Sequence, residues 1–345
     1  MSAAATEEKR VRIAVAGVGG WGKNLARNYG QIRGAELSYI CDLDKVNLKS
    51  VRPVCRPKAC TTNFQEVVDD PDVDAVVIAT PAQTHHPLGM RALAAGKDVY
   101  IEKPFAMSSA EGRELIALAE EKDRVLMVGH LLEYHPVIEH LKELINSGDL
   151  GDIMYIYTQR LNLGTVRTEE NALWNFAPHD ISVILYLLGQ QPSDVSARGQ
   201  AYLQPGVEDV MFMVMNFADK AMGHVHVSWL DPHKTRKITI VGSKRMAVFD
   251  DLESTEKLKI YDKGAELNLD YNNFAEYVGL RFGDIHIPHI RVGEPLRAEC
   301  DHFLSCIRNR TTPRSDGYDG LRVLQVLEAA DQSVAAGGNR IFIDQ

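Results

Sequence analysis

Apolar residues in the first third of the chain come in short, nearly unbroken runs: VRIAVAG (11–17), AELSYICD (35–42), VDAVVIAT (73–80), KDVYIEK (97–103) and RVLMVG (124–129). Between them, at 21–32, 44–52, 84–95 and 108–122, apolar positions recur at helical spacing. Strands that are apolar on both faces and alternate with helices predict a parallel sheet covered on both sides. Crossovers of this kind are right-handed, so the pattern predicts a doubly wound α/β fold of the Rossmann type.

The pattern changes after residue 130. One helix is expected over 134–152, with a glycine stop, followed by a strand in IMYIYTQRLNL. A largely buried helix is expected over 180–188, ending at Gly189. Alternating runs follow: VSARGQAYL, DVMFMVMNF, AMGHVHVSWL, RKITIVG, RMAVFDD and KLKIYD. Joined by short turns, they predict a large, mainly antiparallel open sheet. Helices at 294–308 and 318–336 and a last strand, RIFID, complete a C-terminal α+β domain. The stretch 265–293 has little periodicity and is expected to be a long loop. An open sheet leaves a broad apolar face, so a homodimer or homotetramer is expected.

Charge narrows the partners. Lys and Arg number 38 against 47 Asp and Glu, a formal charge of −9. That balance argues against a nucleic-acid partner, which needs a basic surface. A small anion is still compatible with a local arginine cluster. The opening MSAAATEEKR has no apolar core, so no signal peptide is expected. No run of about 18 apolar residues predicts a membrane span. The five cysteines, at 41, 55, 60, 300 and 306, form no C-x-x-C pair. Reduced thiols and a cytoplasmic location are expected. His224 and His226, and His286 and His289, lack companions at metal-ligand spacing, so no metal is expected. His233, Lys234 and Arg236 read as a solvated hairpin end.

The most specific motif is Gly17-Val18-Gly19-Gly20-Trp21-Gly22, a G-x-G-x-x-G between a strand and a helix. Gly17 suits a tight turn, Gly19 a backbone approach to a pyrophosphate, and Gly22 close packing of helix on strand. The helix N-terminus offers amides to the phosphates. Asp42 ends the second strand, about 20 residues on, where a carboxylate receives a ribose diol and repels a 2′-phosphate. NAD is therefore the expected cofactor, bound by a domain spanning 1–130, with 131–345 for substrate binding and oligomerisation. Thr80 and Pro81, and then Glu102 and Lys103, stand at strand ends facing the same crevice. His85 lies nearby, as a cofactor contact or a helix cap.

His179, in NALWNFAPHDISVILYLLG, follows a proline at the mouth of the buried helix. Two readings stand: a helix-entry residue, or a proton-transfer group aimed into a cleft. Arg160, Asn162 and Arg167 precede it, with Asn171, Trp174 and Asn175, and are expected to bind an anionic substrate.

AGVGGWG, ATPAQTHHP, the E-K-P at 102–104 and a histidine ten residues before the helix-ending glycine together resemble the Gfo/Idh/MocA family. The resemblance covers nearly the whole chain. It implies that Lys103 contacts the reacting sugar oxygen and that His179 moves its proton. Many members carry an Asp four residues before that histidine, where this chain has Asn175. GHLLEYHP, SWLDPHKTRKITIVGSKRMAVFDD and EPLRAECDHFLSCI carry a narrower resemblance, to UDP-N-acetylglucosaminuronate 3-dehydrogenases of surface-polysaccharide synthesis. That resemblance implies a nucleotide-sugar substrate oxidised at C3, and the Asp position is not acidic there either. The alternatives are a 3-ketosugar reductase or polyol dehydrogenase on the same scaffold, or a non-catalytic dinucleotide-sensing regulator. Lys103 either hydrogen-bonds the reacting oxygen or, if burial lowers its pKa, is itself the base.

Overall fold

The computed structural model describes residues 10–164, 166, 168, 170–267, 278–291 and 293–343. The first compact unit runs to Tyr134 and takes in Gly293–Leu324 as well. It begins with β1 (Val11–Ala16), α1 (Gly22–Gln31), β2 (Ala35–Cys41), α2 (Lys45–Cys55), β3 (Ala59–Thr61), α3 (Phe64–Asp69), β4 (Ala75–Ile78), α4 (His85–Ala94), β5 (Asp98–Glu102), α5 (Ser109–Glu121) and β6 (Leu126–Gly129). The six strands form one parallel sheet in the order β3-β2-β1-β4-β5-β6. The order reverses between β1 and β4, the switch point where such sheets bind ligands. The expected α/β architecture is present, with β3 and α3 as additions too short to show a period.

The second unit holds α6 (Pro136–Asn146), β7 (Ile153–Leu163), α7 (Ala172–Leu188), β8 (Asp194–Gln200), β9 (Val210–Asn216), β10 (Met222–Ser228), β11 (Leu230–Gly242), β12 (Met246–Asp250), β13 (Leu258–Leu267) and β14 (Val278–His286). Then come α8 (Pro295–Asn309), α9 (Gly317–Ala335) and β15 (Ile341–Phe342). Among the described residues nine strands pair in the order β14-β13-β12-β11-β7-β10-β9-β8-β15. Every pairing is antiparallel except β10 on β7. One face buries Ile156, Met213, Met215, Val225 and Val227. There α7 approaches so closely that a Cβ on Gly223 would lie 3.3 Å from Ile184 and 2.8 Å from Met215.

Three expectations change. The domain cut at 130 leaves out α8, which returns to the first unit. Its face of Leu296, Cys300, Phe303 and Leu304 joins the core with Ile13, Leu25 and Tyr100. The stretch 265–293 is not a loop throughout, since β13 and β14 pair there as a hairpin. Residues 268–277 lie outside the described residues. Finally, the helix placed at 180–188 begins eight residues earlier, at Ala172.

Candidate functional site

In the first unit the glycine loop follows β1. Gly17 has a positive φ of 83°, and a Cβ on it would lie 2.6 Å from the Ala79 backbone. A Cβ on Gly22 would run into the Gly17 carbonyl. Both glycines are therefore required by packing between strand ends. Gly20 differs: nothing lies within 4 Å of where its Cβ would be, and at Gly19 only the Asn47 amide comes within 3.8 Å. The open space above them belongs to a cleft of about 820 Å³, lined also by Asp42, Asn47, Thr80 and Pro81. Bare backbone at a helix N-terminus, beside a cleft of that size, fits a dinucleotide pyrophosphate.

Asp42 does more than the motif implies. Its carboxylate accepts the Val18 N–H at 2.8 Å and the Asp44 N–H at 2.8 Å, and lies 3.3 Å from the Asn47 amide. It braces the glycine loop while facing the cleft. His85 contradicts both of its readings. It is 1% exposed, and its ring nitrogens lie 2.8 Å from the Pro104 carbonyl and 2.9 Å from the Thr80 carbonyl. It ties the end of β4 to the end of β5, neither touching the cleft nor capping α4. Burial holds its pKa below the usual histidine range.

Glu102 ends β5 and is buried. It accepts the Trp21 indole N–H at 2.5 Å, the Tyr100 hydroxyl at 3.2 Å and the Lys103 N–H at 3.2 Å. Burial raises its pKa, while these donors and the Lys103 charge work the other way. Trp21 is thus fastened to the E-K-P loop.

A second polar cluster in this unit escaped sequence reading. His130 Nδ1 lies 2.6 Å from Asp319 and 3.4 Å from Glu133, all three buried. Burial opposes the imidazolium, but the hydrogen bonds to Asp319 and Glu133 outweigh it and push the pKa up to about 10. Burial and the Asp319 charge raise Glu133. His130 and Glu133 sit in the GHLLEY motif, but Asp319 is 189 residues away, and no local signal joins them.

In the second unit, α7 explains the environment of His179. Asn171 caps the helix, its side chain accepting the Trp174 N–H at 3.1 Å. Pro178 sits inside, where it removes an N–H and disfavours a straight helix. His179 is therefore an interior residue and not the helix entry. Asn175 and His179, one turn apart, are both half-buried, while Ala172, Leu173, Ala177, Pro178 and Asp180 are buried. A partly open polar stripe on a buried helix can present a proton acceptor to a ligand.

The anion-binding set is largely spent elsewhere. Arg160 on β7 grips Asp180 through Nε at 2.7 Å and Nη2 at 3.3 Å, anchoring the helix turn that bears His179. The Asn171 amide donates to Glu208 at 2.9 Å, and the Trp174 indole to Asp331 at 2.6 Å. In this structure all three side chains are engaged within the protein. Asn162 retains a buried side-chain oxygen without a hydrogen bond. Arg167 lies outside the described residues. Asn175 donates to Glu170 at 2.6 Å.

Two family descriptions match in succession: an oxidoreductase family with an NAD-binding Rossmann fold over residues 11–130, and a GFO/IDH/MocA C-terminal domain over residues 138–248. An inositol 2-dehydrogenase from Acidothermus cellulolyticus is 30% identical over 230 residues, 64% of this chain and 67% of that protein. The chain belongs to the Gfo/Idh/MocA family. A UDP-N-acetylglucosamine 3-dehydrogenase from Acidithiobacillus ferrooxidans is 29% identical over 315 residues, covering 91% of this chain and 94% of that protein. The solved structure of an Acidithiobacillus ferrooxidans UDP-N-acetylglucosamine 3-dehydrogenase superimposes with a TM-score of 0.78 at 27% identity, over 95% of this chain and 98% of that one. This Gfo/Idh/MocA member is an NAD-dependent dehydrogenase acting on a CH–OH group. No helix among the described residues is long and apolar enough to cross a membrane.

Proposed function

We propose that this enzyme oxidises the C3 hydroxyl of a UDP-linked 2-acetamido sugar, UDP-N-acetylglucosaminuronate, to the 3-keto sugar during surface-polysaccharide synthesis. The observation that carries the reading is the likeness to a UDP-N-acetylglucosamine 3-dehydrogenase along nearly its full length. A polyol is the second reading, favoured by the 30% identical inositol dehydrogenase. Bound NAD would supply the hydride acceptor for the carbinol carbon. Gly19 and Gly20, held in place by Gly17 and Gly22, would receive its phosphates, and Asp42 would take its adenosine ribose. Lys103 donates a hydrogen bond to the reacting oxygen and stabilises developing alkoxide charge. His179 takes the hydroxyl proton, which suits an imidazole at neutral pH. Asn162 and Asn175 orient the sugar.

A panel of UDP- and dTDP-sugars with myo-inositol, each mixed with enzyme and NAD, tests the substrate. NADH should form fastest with UDP-N-acetylglucosaminuronate. Faster NADH formation with UDP-N-acetylglucosamine would remove the uronate from the reading, and turnover of inositol alone would replace it with the polyol. The five free cysteines, four of them buried, suit a cytoplasmic enzyme.

A further inference from the structure

Glu102 is a buried carboxylate one residue from a lysine, at the carboxyl end of β5. Burying such a group is costly unless donors meet it, and here the Trp21 indole, the Tyr100 hydroxyl and the Lys103 amide all point at it. Three donors suit the ionised form, which only accepts. Asp42, just after β2, takes the adenosine side of the crevice. A dinucleotide laid across the switch point therefore extends toward the β4 and β5 ends, where Thr80, Pro81, Glu102 and Lys103 stand. The oxidised nicotinamide ring carries a positive charge and the reduced ring is neutral. Lys103 on its own would disfavour the oxidised ring. The anion beside it offsets that.

We propose that the Glu102 carboxylate is a positioning and electrostatic residue that favours binding of the oxidised dinucleotide over the reduced one. This rests on the NAD-dependent reading of the cleft. In a dehydrogenase working toward the keto sugar, it holds NAD for the forward reaction and helps release NADH. Trp21, tethered to the same carboxylate, helps keep it ionised.

The test is equilibrium binding of NAD and of NADH, each by calorimetry, with no sugar present. In Glu102→Gln the affinity for NAD should fall at least about tenfold relative to NADH, since one unit charge within about 12 Å at an effective dielectric constant near 20 is worth that much or more. Glu102→Asp keeps the charge, so its ratio of the two affinities should stay within about twofold of wild type. Trp21→Phe leaves β5 intact and removes one of the donors that favour the ionised carboxylate, so its ratio should stay level or move toward NADH, no further than in Glu102→Gln. Equal losses for both forms in Glu102→Gln, or a Trp21→Phe ratio displaced toward NAD, would overturn the proposal. Failure of the wild type to bind either dinucleotide would instead refute the reading of the cleft.

Discussion

His179 stands in the interior of α7, one residue after Pro178 and one before the Asp180 that Arg160 grips. That setting fixes the backbone on both sides of the ring and leaves the ring half-buried. If it is the base, His179→Asn should keep the fold and NAD binding and slow turnover roughly 10²–10⁴-fold. The wild-type rate should fall at acid pH as the imidazole takes up a proton, and that limb should vanish in the variant. A variant with near-normal turnover and an intact acid limb would transfer the role to Lys103. At this scale the glycine motif was legible because close backbone packing demands Gly17 and Gly22. Asp42 was legible as a strand-end acid, but not as the brace on Val18, because that bond joins two turns 24 residues apart.

Two elements show how local pattern and tertiary partners divide the information. The start of α7 was hidden by Pro178, since proline reads as a boundary, although Asn171 three residues before Trp174 supplies an ordinary cap. The β13–β14 hairpin was hidden because its outer strand is largely exposed, with Leu280, Phe282 and Ile285 all open to solvent, so no inward face sets a period. The return of α9 to His130 is made through Asp319, beside close packing of Gly317 on Ile116 and Leu126 and of Gly320 on Val128 and Phe105. Folded His130 and Glu133 hold protons more tightly than in the unfolded chain, so their contribution to stability declines as pH rises. The histidine part is whole below about pH 6.5 and is lost as pH passes its folded value of about 10. Asp319, held below the usual range against its burial by His130, contributes above the unfolded carboxylate pKa and loses that in acid. The unfolding midpoint should therefore drop between pH 7 and pH 10 in the wild type, and drop less steeply in His130→Gln. Identical slopes in thermal melts would remove the triad from the account.

For the whole molecule, the parallel sheet and the open antiparallel one were legible because each imposes its own period over many strands. The sheet face away from α7 carries Tyr155, Phe212 and Met222, each at least 40% exposed, with Phe212 stacked on His226 at 4.2 Å. We propose a second copy of this chain as its cover. Light scattering should give a homodimer or homotetramer for the wild type and smaller species for Phe212→Glu, while a monomeric wild type would discard the interface. The substrate was the least legible feature, because Arg160, Asn171 and Trp174, the residues assigned to it, have partners far along the chain, at Asp180, Glu208 and Asp331. The central claim, oxidation at C3 of a UDP-linked sugar, is tested most directly with UDP-N-acetylglucosaminuronate deuterated at C3. Mass spectrometry after one turnover should find the deuterium in the NADH and a sugar lighter by one deuterium and one proton. Deuterium retained in an oxidised sugar would contradict the account.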